Sequence, residues 1–162
     1  MKLADIEGIG PVYVAKLAAA GIRTPNDLLV HASTLKQRRS LAASTGISQD
    51  LILKWVNMAD LFQIQGIGLV YADLLEEVGV DTSRELARRK PKQLIVQMQK
   101  ANSEKKLVRK LPSLKQIQKA IAIATEIQHS SHILAGNGTT DAPPPKKKIK
   151  KKTKKYIPPV EY

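Results

Sequence analysis

The sequence predicts an all-α fold: two tandem helical repeats, each opening on a Gly-Ile-Gly hairpin, packed as a pseudo-twofold compact domain with a disordered or extended basic C-terminal tail. Three observations carry this reading. Residues 64–87 laid under residues 6–29, an offset of 58, give ten identities in 24 positions, and a repeat of that quality decides architecture. Two of the shared strings are the hairpins Gly8-Ile9-Gly10 and Gly66-Ile67-Gly68. Helix start and stop signals recur along both copies, and no run alternates as a strand would.

The elements follow in chain order. From Pro11 to Ala20, Val14, Leu17 and Ala18 fall at i, i+3 and i+4. Pro11 suits a first helical turn and Gly21 a C-terminal cap. Thr24 then reads as an N-cap, with Pro25 at the first helical position and Asp27 in the first turn. Leu51, Ile52, Trp55, Met58, Ala59 and Phe62 form an apolar stripe on a helix from about Ser48 into Phe62, which runs into the second hairpin. In the second copy, Thr82-Ser83-Arg84-Glu85 and Ser113-Leu114-Lys115-Gln116 read as capping boxes. An offset of 65 aligns Ser48/Ser113, Ile52/Ile117, Val56/Ile121 and Ala59/Ala124. The second copy therefore carries about seven extra residues near Lys100 to Lys106, a polar region that suits a longer connection. The repeats are placed at residues 1–63 and 64–135, and the tail at 136–162.

A Gly-Ile-Gly turn before a helix has a physical use. Its glycines permit positive φ and close approach of a phosphate, the central Ile plugs the space between helices, and the next helix offers free N–H groups and its dipole. The same parts also serve as a plain turn with a core isoleucine. Too few residues precede the first hairpin for a full leading helix. The C-terminal helix near Ser113 to Gln128 is expected to take that place, with Ile121 against the Pro11 to Ala20 helix.

The strings Ile6-Glu7-Gly8-Ile9-Gly10-Pro11-Val12-Tyr13, Trp55 to Phe62 and Lys105 to Pro112 resemble the domain of unknown function 4332 family over residues 1 to about 130. The resemblance implies tandem helix-hairpin-helix units, similar to those with which DNA-repair proteins grip duplex backbone without reading sequence. Such hairpins usually carry Lys or Arg just after the second glycine. Here that place holds Pro11-Val12-Tyr13 and Leu69-Val70-Tyr71, followed by Lys16 in one helix and by Asp73, Glu76 and Glu77 in the other.

The net charge is +13, which points to a polyanion or an acidic surface. Residues 64–135 hold twelve basic against seven acidic residues. The tail holds eight lysines against Asp141 and Glu161. Its Gly136 to Pro145 stretch reads as a linker, Lys146 to Lys155 as a block of like charge, and Tyr156 to Tyr162 as a short docking peptide. The residues expected to meet nucleic acid are Gly8, Ile9, Gly10 and Lys16; Gly66, Ile67 and Gly68; Arg88, Arg89, Lys90, Lys92, Lys105, Lys106, Arg109 and Lys110; and Lys146, Lys147, Lys148, Lys150, Lys151 and Lys152. The alternative for the folded cations is a solvated face whose stems cover apolar surface.

An aromatic share of 4% disfavours a base-stacking single-strand binder. With no cysteine, disulfides, thiolate catalysis and Cys-based metal sites drop out. His129-x-x-His132 lacks a third histidine nearby, so neither a metal nor another cofactor is expected. There is no Ser-His-Asp context, Walker loop or carboxylate cluster, and Gly8-x-Gly10 is too short for a dinucleotide fingerprint. A non-enzymatic binding protein is expected. Its partner is duplex DNA or RNA bound without sequence preference, or an acidic protein for which the chain is an adaptor or linker. A small-molecule substrate and a membrane span are not expected. The chain reads as a protein of a cytoplasmic or organellar soluble compartment, not secreted.

Overall fold

Hydroxyl side chains cap helix starts in both halves of the chain, at Thr24, Thr34 and Ser48 and again at Thr82 and Ser113. The structure, a computed structural model, describes residues 1–134; the expectations for the tail lie outside the described residues. A 3₁₀ turn at Leu3–Asp5 precedes α1 (Pro11–Ala19), α2 (Pro25–His31), α3 (Leu35–Thr45) and α4 (Gln49–Phe62). Then come α5 (Gly68–Glu77), α6 (Ser83–Ala87), α7 (Pro91–Lys105) and α8 (Leu114–Leu134). No strand occurs among the described residues, which are all-α as their periodicity predicts.

The Thr24 hydroxyl accepts from the Asp27 N–H at 3.2 Å while the Asp27 carboxylate accepts from the Thr24 N–H at 2.8 Å. This satisfies orphan donors at the start of α2. Ser113 and Gln116 close the same reciprocal pair before α8, at 3.2 and 2.8 Å. At α6 the pairing is shifted. The Thr82 hydroxyl accepts from the Glu85 N–H, but the Glu85 carboxylate accepts from the Asp81 N–H at 2.6 Å, one residue earlier than a capping box requires. Helices α1 and α5 both end on a left-handed glycine, Gly21 (φ +85°) and Gly79 (φ +82°). The Ile22 and Val80 N–H groups reach back to the Leu17 and Leu75 carbonyls at 2.9 and 2.8 Å, the long bond of a Schellman stop.

Burial falls into two clusters, and the same register positions are buried in each. Ile6, Ile9, Leu17, Leu28, Ile52 and Ala59 belong to the first; Ile64, Ile67, Leu75, Leu86, Ile117 and Ala124 belong to the second. Each large aliphatic side chain taken from water contributes about 1.5–3 kcal/mol. Helix α4 packs on α2 and α3, and α8 packs on α6 and α7. This corrects the placement of the C-terminal helix. Ile121 packs against the second cluster, so α8 closes its own unit and does not take the expected place against α1. The reason lies in the stripe Ile117, Ala120 and Ala124, which is the register copy of the α4 stripe and fits the corresponding place.

The two clusters meet along α4. Trp55, Met58 and Ala59 face the first and Leu61 the second. Asp60 reaches across to α6, its carboxylate accepting from the Ser83 N–H at 2.6 Å and the Ser83 hydroxyl at 3.0 Å. Gln63, where the sequence divides the repeats, is the C-cap of α4.

Candidate nucleic-acid interface

The two glycine turns are built alike but seated differently. In each, only the first glycine is left-handed: Gly8 at φ +87° and Gly66 at φ +81°. Gly10 is extended at φ −80° and serves as N-cap of α1, while Gly68 is the first residue of α5. Ile9 and Ile67 are 4% and 1% exposed and fill the cores below. A Cβ built on Gly8 meets Trp55 Nε1 at 3.4 Å, whereas one built on Gly66 meets nothing within 4 Å. The indole beneath the first turn is wholly buried, its Nε1 has no hydrogen-bond partner among the described residues, and the Tyr13 ring stands edge-on to it with centroids 5.1 Å apart. The residue in the Trp55 register of the second unit is Ala120.

Helix geometry leaves the Val12 and Tyr13 N–H groups without an intrahelical acceptor at the start of α1. The side chains around these amides are not cationic. Val12 is 67% exposed and its counterpart Val70 64%. Lys16 stands in the last turn of α1, beside Gly21 and Gln37, about 9 Å along the helix from Gly10.

Of the predicted cations, two are occupied structurally. Arg89 Nη2 donates to the Val78 and Gly79 carbonyls at 3.3 and 3.0 Å, clamping the C-terminal turn of α5. Lys105 forms an ion pair with Glu77. Both interactions lie at the C-terminal end of α5, about 15 Å from the turn that starts it. The structure therefore does not bring these basic residues beside the Gly66 turn. Arg88 and Lys90 lie between α6 and α7 and Lys92 in the first turn of α7, all exposed. About 20 Å of α7 separates Lys92 from Lys105, so the cations form two groups and not one patch.

The second group is the denser. Lys106, Arg109 and Lys110 on the 106–113 loop and Lys115 in the first turn of α8 are all exposed, and none forms an ion pair among the described residues. The loop has a fixed shape. Asn102 Nδ2 donates to the Val108 carbonyl at 3.0 Å, and its Oδ1 accepts from the Val108 N–H at 2.9 Å. Lys106 caps α7 in the left-handed region at φ +51°. The positive end of the 21-residue α8 dipole lies at the same corner. The sequence marks Lys106, Arg109 and Lys110 but not Asn102, whose i to i+6 pairing leaves no motif. The six tail lysines assigned to nucleic acid lie outside the described residues.

Among the described residues, no group of three or more His, Asp or Glu is placed to hold a metal ion, and no helix is long and apolar enough to cross a membrane. Comparison with curated proteins and with solved structures finds no match. A family model described as a domain of unknown function, DUF4332, matches residues 7–127. That match takes in both buried clusters except Leu3 and Ile6, and most of α8, and the chain belongs to the DUF4332 family.

Proposed function

We propose that this protein binds the phosphate backbone of duplex nucleic acid without sequence preference, with the α7–α8 corner as its principal binding surface in the folded body and the lysine tail as a second. One observation carries the reading: Lys106, Arg109, Lys110 and Lys115 stand exposed, with no ion pair among the described residues, on a loop that Asn102 holds in shape at the positive end of α8. Cations held in place at a helix N-terminus suit phosphate oxygens. The binding needs no catalytic group, and nothing in this corner resembles an element that reads base edges.

The test is a salt titration of binding to a short DNA duplex, read by fluorescence anisotropy. Replacing Lys106, Arg109, Lys110 and Lys115 by Gln lowers affinity at least tenfold and flattens the dependence of log K on log salt by roughly 0.9 for each phosphate that is no longer neutralised. Unchanged affinity and slope in that variant would remove the corner from the interface. The contribution of the glycine turns is read separately with Gly10→Ala. A Cβ there meets nothing within 4 Å in the protein but stands where a phosphate would approach the α1 amides. Weaker binding confined to that variant would move the interface to the turn.

The adaptor reading rests on a different observation, the equivalent exposed valines Val12 and Val70 at the two turns. Isolated exposed valines are ordinary on a monomer surface, which is why the cationic corner is preferred.

A further inference from the structure

A positively charged protein has concentrated carboxylates on one side. Between α4 and α5 lies a pocket of about 260 Å³ with an apolar wall of Leu53, Met58, Leu61 and Ala72. It adjoins a wider groove of about 810 Å³ reaching Gly79 and Leu107, and the two share Lys54, Asp73, Glu76 and Asp81. Asp50 stands at one end; Glu7, Glu77 and Glu85 line the other. Among the described residues, Lys54 and Lys105 are the groove's only lining cations, and Lys105 is already paired with Glu77. The surface is thus an apolar slot with an acidic rim, which repels a nucleic acid and suits a basic peptide carrying an apolar residue.

Such a peptide exists in the same chain. In Lys146 to Lys155, Ile149 is flanked directly by Lys146–Lys148 and Lys150–Lys152. The tether also reaches. Gln128 of α8 donates to the Ser83 hydroxyl at 3.0 Å, two residues from Asp81 on the groove rim. From Gln128 to the end of α8 at Leu134 is about 9 Å of helix. The eleven residues between Leu134 and Lys146 span up to about 40 Å. We propose that the Lys146–Lys155 segment docks in cis along this groove, with Ile149 in the α4–α5 slot and the flanking lysines on the carboxylate rim. Each exposed charge pair is weak and salt-sensitive; tethering supplies an effective concentration of about millimolar. The docked tail is then withheld from other polyanions until one competes for it.

The experiment uses the full chain without nucleic acid, so its outcome is independent of the binding reading above. Because the chain has no cysteine, Thr153→Cys gives a single site for a nitroxide, and paramagnetic broadening of amide signals maps where the tail resides. At low salt the signals of Ala72, Asp73, Glu76 and Asp81 lose several-fold more intensity than those of α2 and α3. Raising the salt, or introducing Asp73→Asn with Glu76→Gln, abolishes the difference. Uniform broadening, or broadening elsewhere on the surface, overturns the proposal. So does broadening that survives in full when the nitroxide is carried only by a second, isotopically silent copy, because the docking is then in trans. The salt arm needs no variant in the groove, so a folding defect cannot mask the result.

Discussion

At Gly8 a positive φ of +87° and the Trp55 indole 3.4 Å from any added Cβ act on the same atom. The left-handed backbone alone costs an L-residue about 1–2 kcal/mol. Gly8→Ala is therefore expected to lower unfolding stability by that amount, measured by urea denaturation, while Gly10→Ala, with φ −80° and open space, changes it by less than about 1 kcal/mol. Equal losses in the two would show that the turn is not strained in this way. Arg38 presents a second single-residue dependence. It is 7% exposed, and Nη1 donates to the Ala32 and Ser33 carbonyls at 3.2 and 2.6 Å, bracing the α2–α3 connection. Burial pulls its guanidinium below the usual arginine range, yet arginine remains charged at ordinary pH. Arg38→Ala leaves two carbonyls without this donor and a gap where the stem lay. The expected loss is about 2–3 kcal/mol by denaturation, with Lys restoring part of it, because both bonds leave from the single Nη1 and an ammonium carries three donors.

Among the helices, α2 is short enough that its cap matters. Thr24→Ala removes the hydroxyl that accepts from the Asp27 N–H and should cost about 1 kcal/mol. The Arg23 N–H and then the Thr24 N–H, both donating to the Asp27 carboxylate, hold its pKa below the usual aspartate value, with the Thr24 hydroxyl adding to the effect. A carboxyl depressed in the folded state contributes stability above its unfolded pKa and loses it as pH falls through the folded one. The Tm gap between the wild type and Asp27→Asn is thus expected to be constant from about pH 5 to 8 and to shrink below about pH 4. A gap independent of pH down to acid unfolding would separate Asp27 from the cap. In α7, Leu94 and Met98 are the buried residues, with Ile95 and Ala101 packed beside them. In α3, Arg38 and Leu41 are the buried residues, and a buried arginine reads in sequence as a polar position. Helix α3 is held by the Thr34–Gln37 capping pair and by packing on α4, and α7 by packing on α8 and α5, which a hydrophobic pattern underreports.

Across the whole molecule, α4 joins the two clusters, and Trp55 is its largest buried side chain. Trp55→Ala is expected to destabilise by about 3–5 kcal/mol, and fluorescence and circular dichroism transitions of the wild type should coincide, because Leu61 and Asp60 tie the second unit to the same helix. Two separated transitions would mean that the units unfold independently. The charge distribution has the same scale. Carboxylates line the α4–α5 side, and exposed cations gather at the 106–113 loop. If the proposed backbone binding holds, its affinity is expected to fall steeply with salt, with the 106–113 loop and not the carboxylate groove turned to the polyanion.

The sequence by itself determined the helical class, the caps at Thr24 and Ser113, the left-handed stop at Gly21, and the apolar stripe of α4 through Ile52, Trp55 and Ala59. These are local quantities: a cap needs three residues, and an amphipathic face needs two turns. Only the tertiary structure decided that α8 closes the second unit instead of covering α1. It alone put Arg89 and Lys105 at the far end of α5 from the Gly66 turn. Distances between charges depend on how helices are stacked, and two cations far apart in sequence can share one helix end or stand at opposite ends of the molecule.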